Sequence, residues 1–335
     1  MPGSLLEVPV SVTQEMTNRQ LVRVHGHSIA DLENLLQNAC DLFNGDLSLE
    51  HQALGGWSNI NIRGQSNGID FVLKLPWSTS IHDITFYKKL YDVSKFFHER
   101  GIASFPLAMG RLPDTKETPF LIFEYARGKI HDSLAEFATH EIESLKTCLK
   151  TLSHQKPPGL HRFKSASEHL NSTYKLVDNH EGISIASRDV IELIDSFIEV
   201  YHQVLSHTDK LDRWSELVMH GDLWVPNIVL QSGKIILLDF EACAYGNQFY
   251  DLAYLLETPA NVSEHIPTGL VSAEDTDEVK KLRPLAVSHL IGWSLERLLS
   301  MESGLVEPNL NTKESRTAII DYTHAKLFRL KALLA

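Results

Sequence analysis

A chain of 335 residues can bury one large core or two modest ones unaided, and 43% hydrophobic with 22% charged residues is an ordinary globular composition. No stretch approaches the unbroken apolar length that crosses a bilayer, and a formal net charge of −12 without clustered Lys and Arg excludes a general nucleic-acid binder. Three cysteines, Cys40, Cys148 and Cys243, are odd in number and far apart; they fit neither a disulfide framework nor a zinc site, so buried thiols are expected.

Residues 1–10 lack a basic stretch followed by a long apolar run, so no secretion signal is read and a cytoplasmic location is expected. Leu32, Leu35, Leu36, Ala39, Leu42 and Phe43 recur at helical spacing and predict a helix over 29–43, with Gly45 as its stop. From Gln52 to Pro76 the texture changes to short runs, 59–63 and 69–75. Between them lies Gly64-Gln65-Ser66-Asn67-Gly68, whose Asn-Gly pair suits a tight turn between antiparallel strands. A helix over 83–100 follows, with Ile84, Tyr87, Leu90, Tyr91, Phe96 and Phe97 on its apolar face and Gly101 after it.

Phe120 to Tyr125 is a compact strand-like run that gives way to a turn at Ala126-Arg127-Gly128, where a boundary between two lobes is placed. Beyond it the pattern is helical. Leu134, Phe137, Ile142, Leu145, Leu149 and Leu152 share one face, and Ile191, Ile194, Phe197, Ile198, Tyr201 and Leu205 another. Two short apolar strands, 217–219 and 235–238, bracket a polar loop, and helices resume from Leu252.

That loop reads His220-Gly221-Asp222-Leu223-Trp224-Val225-Pro226-Asn227-Ile228 and is followed, after a turn at Ser232-Gly233, by Leu237-Leu238-Asp239-Phe240-Glu241. Phosphoryl transfer needs a hydroxyl held in line, a carboxylate to take its proton, and oxygens that hold a metal on the phosphates. The spacing is that of a kinase catalytic loop: a base, an amide five residues later, and a carboxylate after the next strand. Taken singly, Asp222 would serve as a turn cap and Asn227 would bond its own backbone. The spaced set is what points to chemistry.

Together with Tyr250-Asp251-Leu252-Ala253, these segments resemble the aminoglycoside phosphotransferase and choline kinase superfamily, a branch of the protein-kinase-like fold. The resemblance implies an α+β fold of two lobes: an antiparallel sheet with a helix over 1–126, binding nucleotide, and a larger, mostly helical lobe over 127–335 with the catalytic loop and the acceptor site. It implies a small-molecule kinase using ATP, with GTP as the alternative, and Mg2+. Asp222 is then the catalytic base, with Asn227 and Asp239 as metal ligands. Glu241 touches a second magnesium or supports Asp239, and His220 and Asp251 steady the loop, Asp251 as a helix cap. Trp224 packs under the loop or faces the acceptor.

On the nucleotide side, the resemblance makes Gly55, Gly56, Ser58 and Asn59 a turn over the phosphates, where small side chains let backbone N–H groups approach. Lys74 then binds the α- and β-phosphates. Its helix partner is expected at Asp83, a methylene shorter than the family's Glu, with His82 or Glu99 as alternatives. The carbonyl of Glu124 and the N–H of Ala126 are expected to recognise adenine at the hinge.

Gly64-Gln65-Ser66-Asn67-Gly68 also matches the Gly-x-Ser-x-Gly elbow of hydrolases, but an elbow runs from strand into helix and here a strand-like run follows. A kinase-fold binding module without turnover is the alternative from another class. The acceptor is a small hydroxyl compound, aminoglycoside-, amino-alcohol- or sugar-like. The negative net charge favours a cationic one, with Glu257 or Glu296 as candidate amine partners. Neither nucleic acid nor membrane is expected as a partner.

Overall fold

A computed structural model describes residues 21, 23–43, 45–54, 59–77, 84–208, 211, 214, 217–259, 267–308 and 310–335. Helix α1 (Ile29–Ala39) opens with a reciprocal cap: the Asp31 N–H donates to the Ser28 hydroxyl, and the Ser28 N–H to the Asp31 carboxylate. It ends earlier than its spacing predicts. Cys40 is extended and half-buried, unlike the buried Cys148 and Cys243, and Leu42 and Phe43 belong to a separate 3₁₀ turn.

Strands β1 (Leu47–Ala53), β2 (Asn59–Ser66), β3 (Ile69–Pro76), β4 (Pro106–Arg111) and β5 (Pro119–Glu124) form an antiparallel sheet in the order β1-β2-β3-β5-β4. The β2–β3 turn puts Asn67 at φ 50° and Gly68 at φ 78°, both left-handed as a two-residue hairpin requires. Ser66 pairs with Ile69 to close that hairpin, so no nucleophile elbow exists. Helix α2 (Ile84–His98) lies against the sheet through Tyr87, Leu90, Val93 and Phe97.

After Glu124 the chain is mostly helical: α3 (Thr139–Ser153), α4 (Ala166–Asp178), α5 (Arg188–Thr208), α6 (Tyr250–Glu257), α7 (Thr276–Glu302) and α8 (Lys313–Leu334). Leu134 and Phe137 sit in a 3₁₀ turn and its cap ahead of α3, so the apolar face expected to run from 134 to 152 is split between two elements. Helix α7 buries residues on every side, among them Leu285, Val287, Ile291, Leu295 and Leu298, because α4, α5, α6 and α8 surround it. No helix among the described residues is long and apolar enough to cross a membrane.

Five short strands frame the polar loop: β6 (His161–Arg162), β7 (Leu217–Met219), β8 (Ile228–Gln231), β9 (Lys234–Leu237) and β10 (Ala244–Gly246). Strand β7 pairs with β10, and β8 with β9 through the left-handed turn at Ser232 and Gly233. At the hinge, Gly128 passes so near Leu230 that a Cβ would lie 2.5 Å from its carbonyl oxygen. A second junction runs through the N-terminal segment. The His25 N–H donates to the Glu307 carboxylate at 3.2 Å, the His25 ring meets the Pro76 carbonyl at 2.6 Å, and the Glu307 N–H donates to the Trp77 carbonyl at 3.3 Å.

Candidate active site

Gly221 is left-handed at φ 85°, and a Cβ there would stand 2.3 Å from the Ala242 carbonyl oxygen, so the loop after β7 turns only on glycine. The N–H groups of His220 and Gly221 donate to the two carboxylate oxygens of Asp251, at 2.7 and 2.8 Å, from the first turn of α6. Burial raises the Asp251 pKa to about 6 against the pull of those N–H groups. The His220 ring meets the Leu238 carbonyl at 2.8 Å, and the Leu238 N–H donates to the Asn227 carbonyl at 2.9 Å. The loop and the strand leading to Asp239 are therefore one hydrogen-bonded unit.

Within it, the Asn227 amide nitrogen donates to the Asp222 backbone carbonyl at 2.9 Å and lies 3.4 Å from its carboxylate. That commits the nitrogen and leaves the amide oxygen, the atom a metal uses, without a hydrogen bond among the described residues. Asp222 is half-buried and accepts from the Tyr254 hydroxyl. Burial and then the Asp239 charge push its pKa up to about 8, against that hydrogen bond. A base poised near neutrality is suited to receive a hydroxyl proton.

Asp239 is itself left-handed at φ 62°, a conformation Asp tolerates better than most residues. Phe240 next to it stacks on Phe97 of α2 at 4.9 Å and packs against His220, which fixes the turn from below. The carboxylates of Asp239 and Glu241 close on Lys74, at 2.8 and 2.5 Å from Nζ. Burial alone would discharge Lys74, but Asp239 and then Glu241 overcome it and hold the ammonium above its ordinary range. Glu241 also accepts from the Asn59 amide, whose oxygen in turn accepts from Tyr87 at 3.0 Å. Burial, with repulsion from Asp239, raises the Glu241 carboxyl.

All donors here are oxygens, the set that suits Mg2+, and no three acidic, His or Cys side chains among the described residues form a metal cage. A hard cation held by one or two carboxylates, with phosphate oxygens completing its shell, fits that arrangement. The closing of Asp239 and Glu241 on one lysine, with Asp222 near enough to feel both, leaves negative charge for it to neutralise.

Residues 51–284 match the model of a family described as "Phosphotransferase enzyme family". The chain belongs to that family. A protein LicA homolog from Mycoplasma capricolum subsp. capricolum is 34% identical over 92 residues, 28% of this chain and 37% of that protein. Among solved structures, choline kinase LicA from Streptococcus pneumoniae superposes with a TM-score of 0.59 at 15% identity, over 91% of this chain and 98% of that one. An ethanolamine kinase from Plasmodium vivax reaches 0.54 at 16%, over 84% and 81%. A thermostable mutant of the aminoglycoside phosphotransferase APH(4)-Ia, in a ternary complex with AMP-PNP and hygromycin B, reaches 0.55 at 13%, over 90% and 99%. These likenesses give the phosphotransferase its two-lobed, protein-kinase-like fold.

The phosphotransferase thus brings together Asn59, Lys74, Asp222, Asn227, Asp239 and Glu241, with His220 and Asp251 behind them. Gly55, Gly56, Ser58, Asp83 and His82 lie outside the described residues. Glu99 is exposed past the end of α2, and the carboxylates on Lys74 come from the loop after β9. The Glu124 carbonyl accepts from the Ser104 hydroxyl, and Ala126 lies half-buried two residues on. Trp224 is half-buried at the start of the 3₁₀ turn that carries Asn227. Glu257 is no surface charge: it is fully buried, closed on by Arg283 and Arg329. Tyr87 and Tyr254 are site residues that sequence reasoning passed over. Their positions on α2 and α6 were legible, their hydroxyl partners were not.

Proposed function

We propose that this phosphotransferase moves the γ-phosphate of ATP, carried with Mg2+, to a hydroxyl of a small molecule. The observation that carries the reading is the meeting of Lys74 from the sheet with Asp239 and Glu241, on a loop hydrogen-bonded to the one bearing Asp222 and Asn227. In this reading Lys74 exchanges its carboxylate partners for α- and β-phosphate oxygens, and Asn227 and Asp239, with Glu241, hold the metal. Bound there, Mg2+ would screen phosphate charge. Asp222 accepts the proton as the acceptor oxygen bonds to the γ-phosphorus and the bond to the β-phosphate oxygen breaks, leaving ADP.

The division at 126/127 into nucleotide and acceptor lobes, the adenine contact at Glu124 and Ala126, and a cytoplasmic location belong to the same proposal. The solved relatives named for choline, ethanolamine and an aminoglycoside with AMP-PNP support a small hydroxyl acceptor and an adenine nucleotide donor. The test is ADP release from ATP and Mg2+ against choline, ethanolamine, aminoglycosides, homoserine and sugars, with Asp222→Asn as control. A hit abolished in the control establishes the reaction. Nucleotide binding without turnover on any acceptor would favour the binding module.

A further inference from the structure

Buried guanidinium groups are held by carboxylates or carbonyls, because an unpaired charge in the interior is costly. The buried Arg283 obeys that rule, and the half-buried Arg329 and Arg316 are paired as well. Arg283 and Arg329 close on Glu257, and Arg316 lies 2.8 Å from both Asp189 and Glu302. Arg297 on α7 does not. It is only 5% exposed, yet its Nε has no hydrogen-bond partner and none of its N–H groups is bonded to a described residue. What it has is an aromatic floor: its guanidinium carbon stands 3.2 Å from the centre of the Trp77 ring, with the Trp293 ring at 5.8 Å.

Location gives this orphan its meaning. Trp77 comes three residues after Lys74, where the chain leaves β3, and the field of Glu241 reaches Arg297. The guanidinium therefore sits where the sheet meets the helical lobe, at the junction that the Trp77 carbonyl and the Glu307 N–H also make, beside the interlobe cleft and within reach of the Glu241 charge. Burial depresses it to about 9, against the opposing pull of Glu296 and then Glu241. Stacking on an indole orients a guanidinium but uses none of its five donors, so a planar fork remains ready for a planar or tetrahedral oxyanion.

We propose that Arg297 is the oxyanion-binding residue of this cleft, receiving a phosphoryl or carboxylate group that is either the γ-phosphate of the donor or an anionic group on the acceptor. The naming of donor and acceptor rests on the proposed reaction; the anion itself rests on the unpaired guanidinium.

The test is thermal unfolding of the wild type and Arg297→Met, which keeps an apolar stem on Trp77 while removing the charge, each alone and with inorganic phosphate, Mg2+·ADP or Mg2+·AMP-PNP. Without ligand, the variant should melt at or above the wild-type temperature, since an uncompensated charge is gone. The stabilisation of the wild type by phosphate should vanish. If the preference for AMP-PNP over ADP falls at least tenfold as well, the anion is the γ-phosphate; if it survives while the phosphate response is lost, the anion belongs to the acceptor. A variant that melts lower yet keeps both responses makes Arg297 a structural cation and overturns the proposal. So does a wild type that neither responds to phosphate nor prefers AMP-PNP. Should Arg297→Met fail to fold, Arg297→Lys keeps charge without the fork and should show the same losses. A wild type that binds no nucleotide sinks the proposed reaction but leaves the phosphate comparison decisive for Arg297.

Discussion

The Nζ atom of Lys74 lies 2.8 Å from Oδ1 of Asp239, an ion pair that joins β3 of the sheet to the loop after β9. With Glu241 at 2.5 Å on the same nitrogen, the sheet and the helical lobe are tied by one cation shared between two carboxylates. Replacing Lys74 by Met leaves both carboxylates without it. Breaking one side of a buried pair costs about 3 kcal/mol or more. Urea unfolding of the variant should show a loss of that order, and added Mg2+ should restore part of it. Stability equal to the wild type would mean that solvent screens the cluster.

Asp222→Asn should lower turnover by about 10²–10⁴-fold, the usual contribution of a general base, while nucleotide binding persists. It should also change stability with a definite sign. Burial, then Asp239, raises the Asp222 pKa from 3.8 to about 8, so the folded protein keeps a proton in that window which the unfolded chain has lost. Stability therefore falls as pH rises through the window. The variant lacks this loss: without ligand, its unfolding free energy should match the wild type near the bottom of the window and exceed it at the top. A difference independent of pH would contradict the burial of this carboxyl.

Gly221→Ala meets two obstacles, a left-handed backbone and a carbonyl 2.3 Å from the new carbon. The conformational part alone costs about 1–3 kcal/mol. Denaturation should show at least that loss, and turnover should fall with it, since the same peptide donates to Asp251. Wild-type activity in this variant would show that the loop can reshape.

Glu257→Gln removes the charge on which Arg283 and Arg329 converge. A destabilisation of about 3 kcal/mol is expected, with KM for any acceptor unchanged, because the side chain is sealed from solvent. A raised KM for cationic acceptors at unchanged stability would return Glu257 to the acceptor site.

How much of this the sequence disclosed follows from the range of the forces involved. The β2–β3 turn was legible because Asn67 and Gly68 are suited locally to its left-handed angles, and the loop proposed as catalytic because Asp222, Asn227 and Asp239 lie within eighteen residues of one another. Lys74 could be named from its strand, but its partners come from 165 positions and more down the chain, and no local pattern encodes them. Strand β7 was seen as apolar, yet its pairing with β10 depends on tertiary placement. Of the two acidic candidates for a cationic acceptor, Glu257 failed for the same reason. A Glu on a helix reads as surface charge until two distant arginines are found on it, as they are on Glu257. Arg297 had no signal at all, because what marks it is that no described residue hydrogen-bonds its guanidinium, a fact of three dimensions.

The pairing at Glu257 also changes how the net charge of −12 should be understood. Two guanidiniums close on one carboxylate there, with Lys326 on its backbone carbonyl, so part of the chain's charge is held inside the helical lobe. An anion exchanger would sort this protein by its outer carboxylates. The Glu257 carboxylate and the Arg283 guanidinium lie beneath that surface, so the isoelectric point counts charges that a partner on the outside never meets.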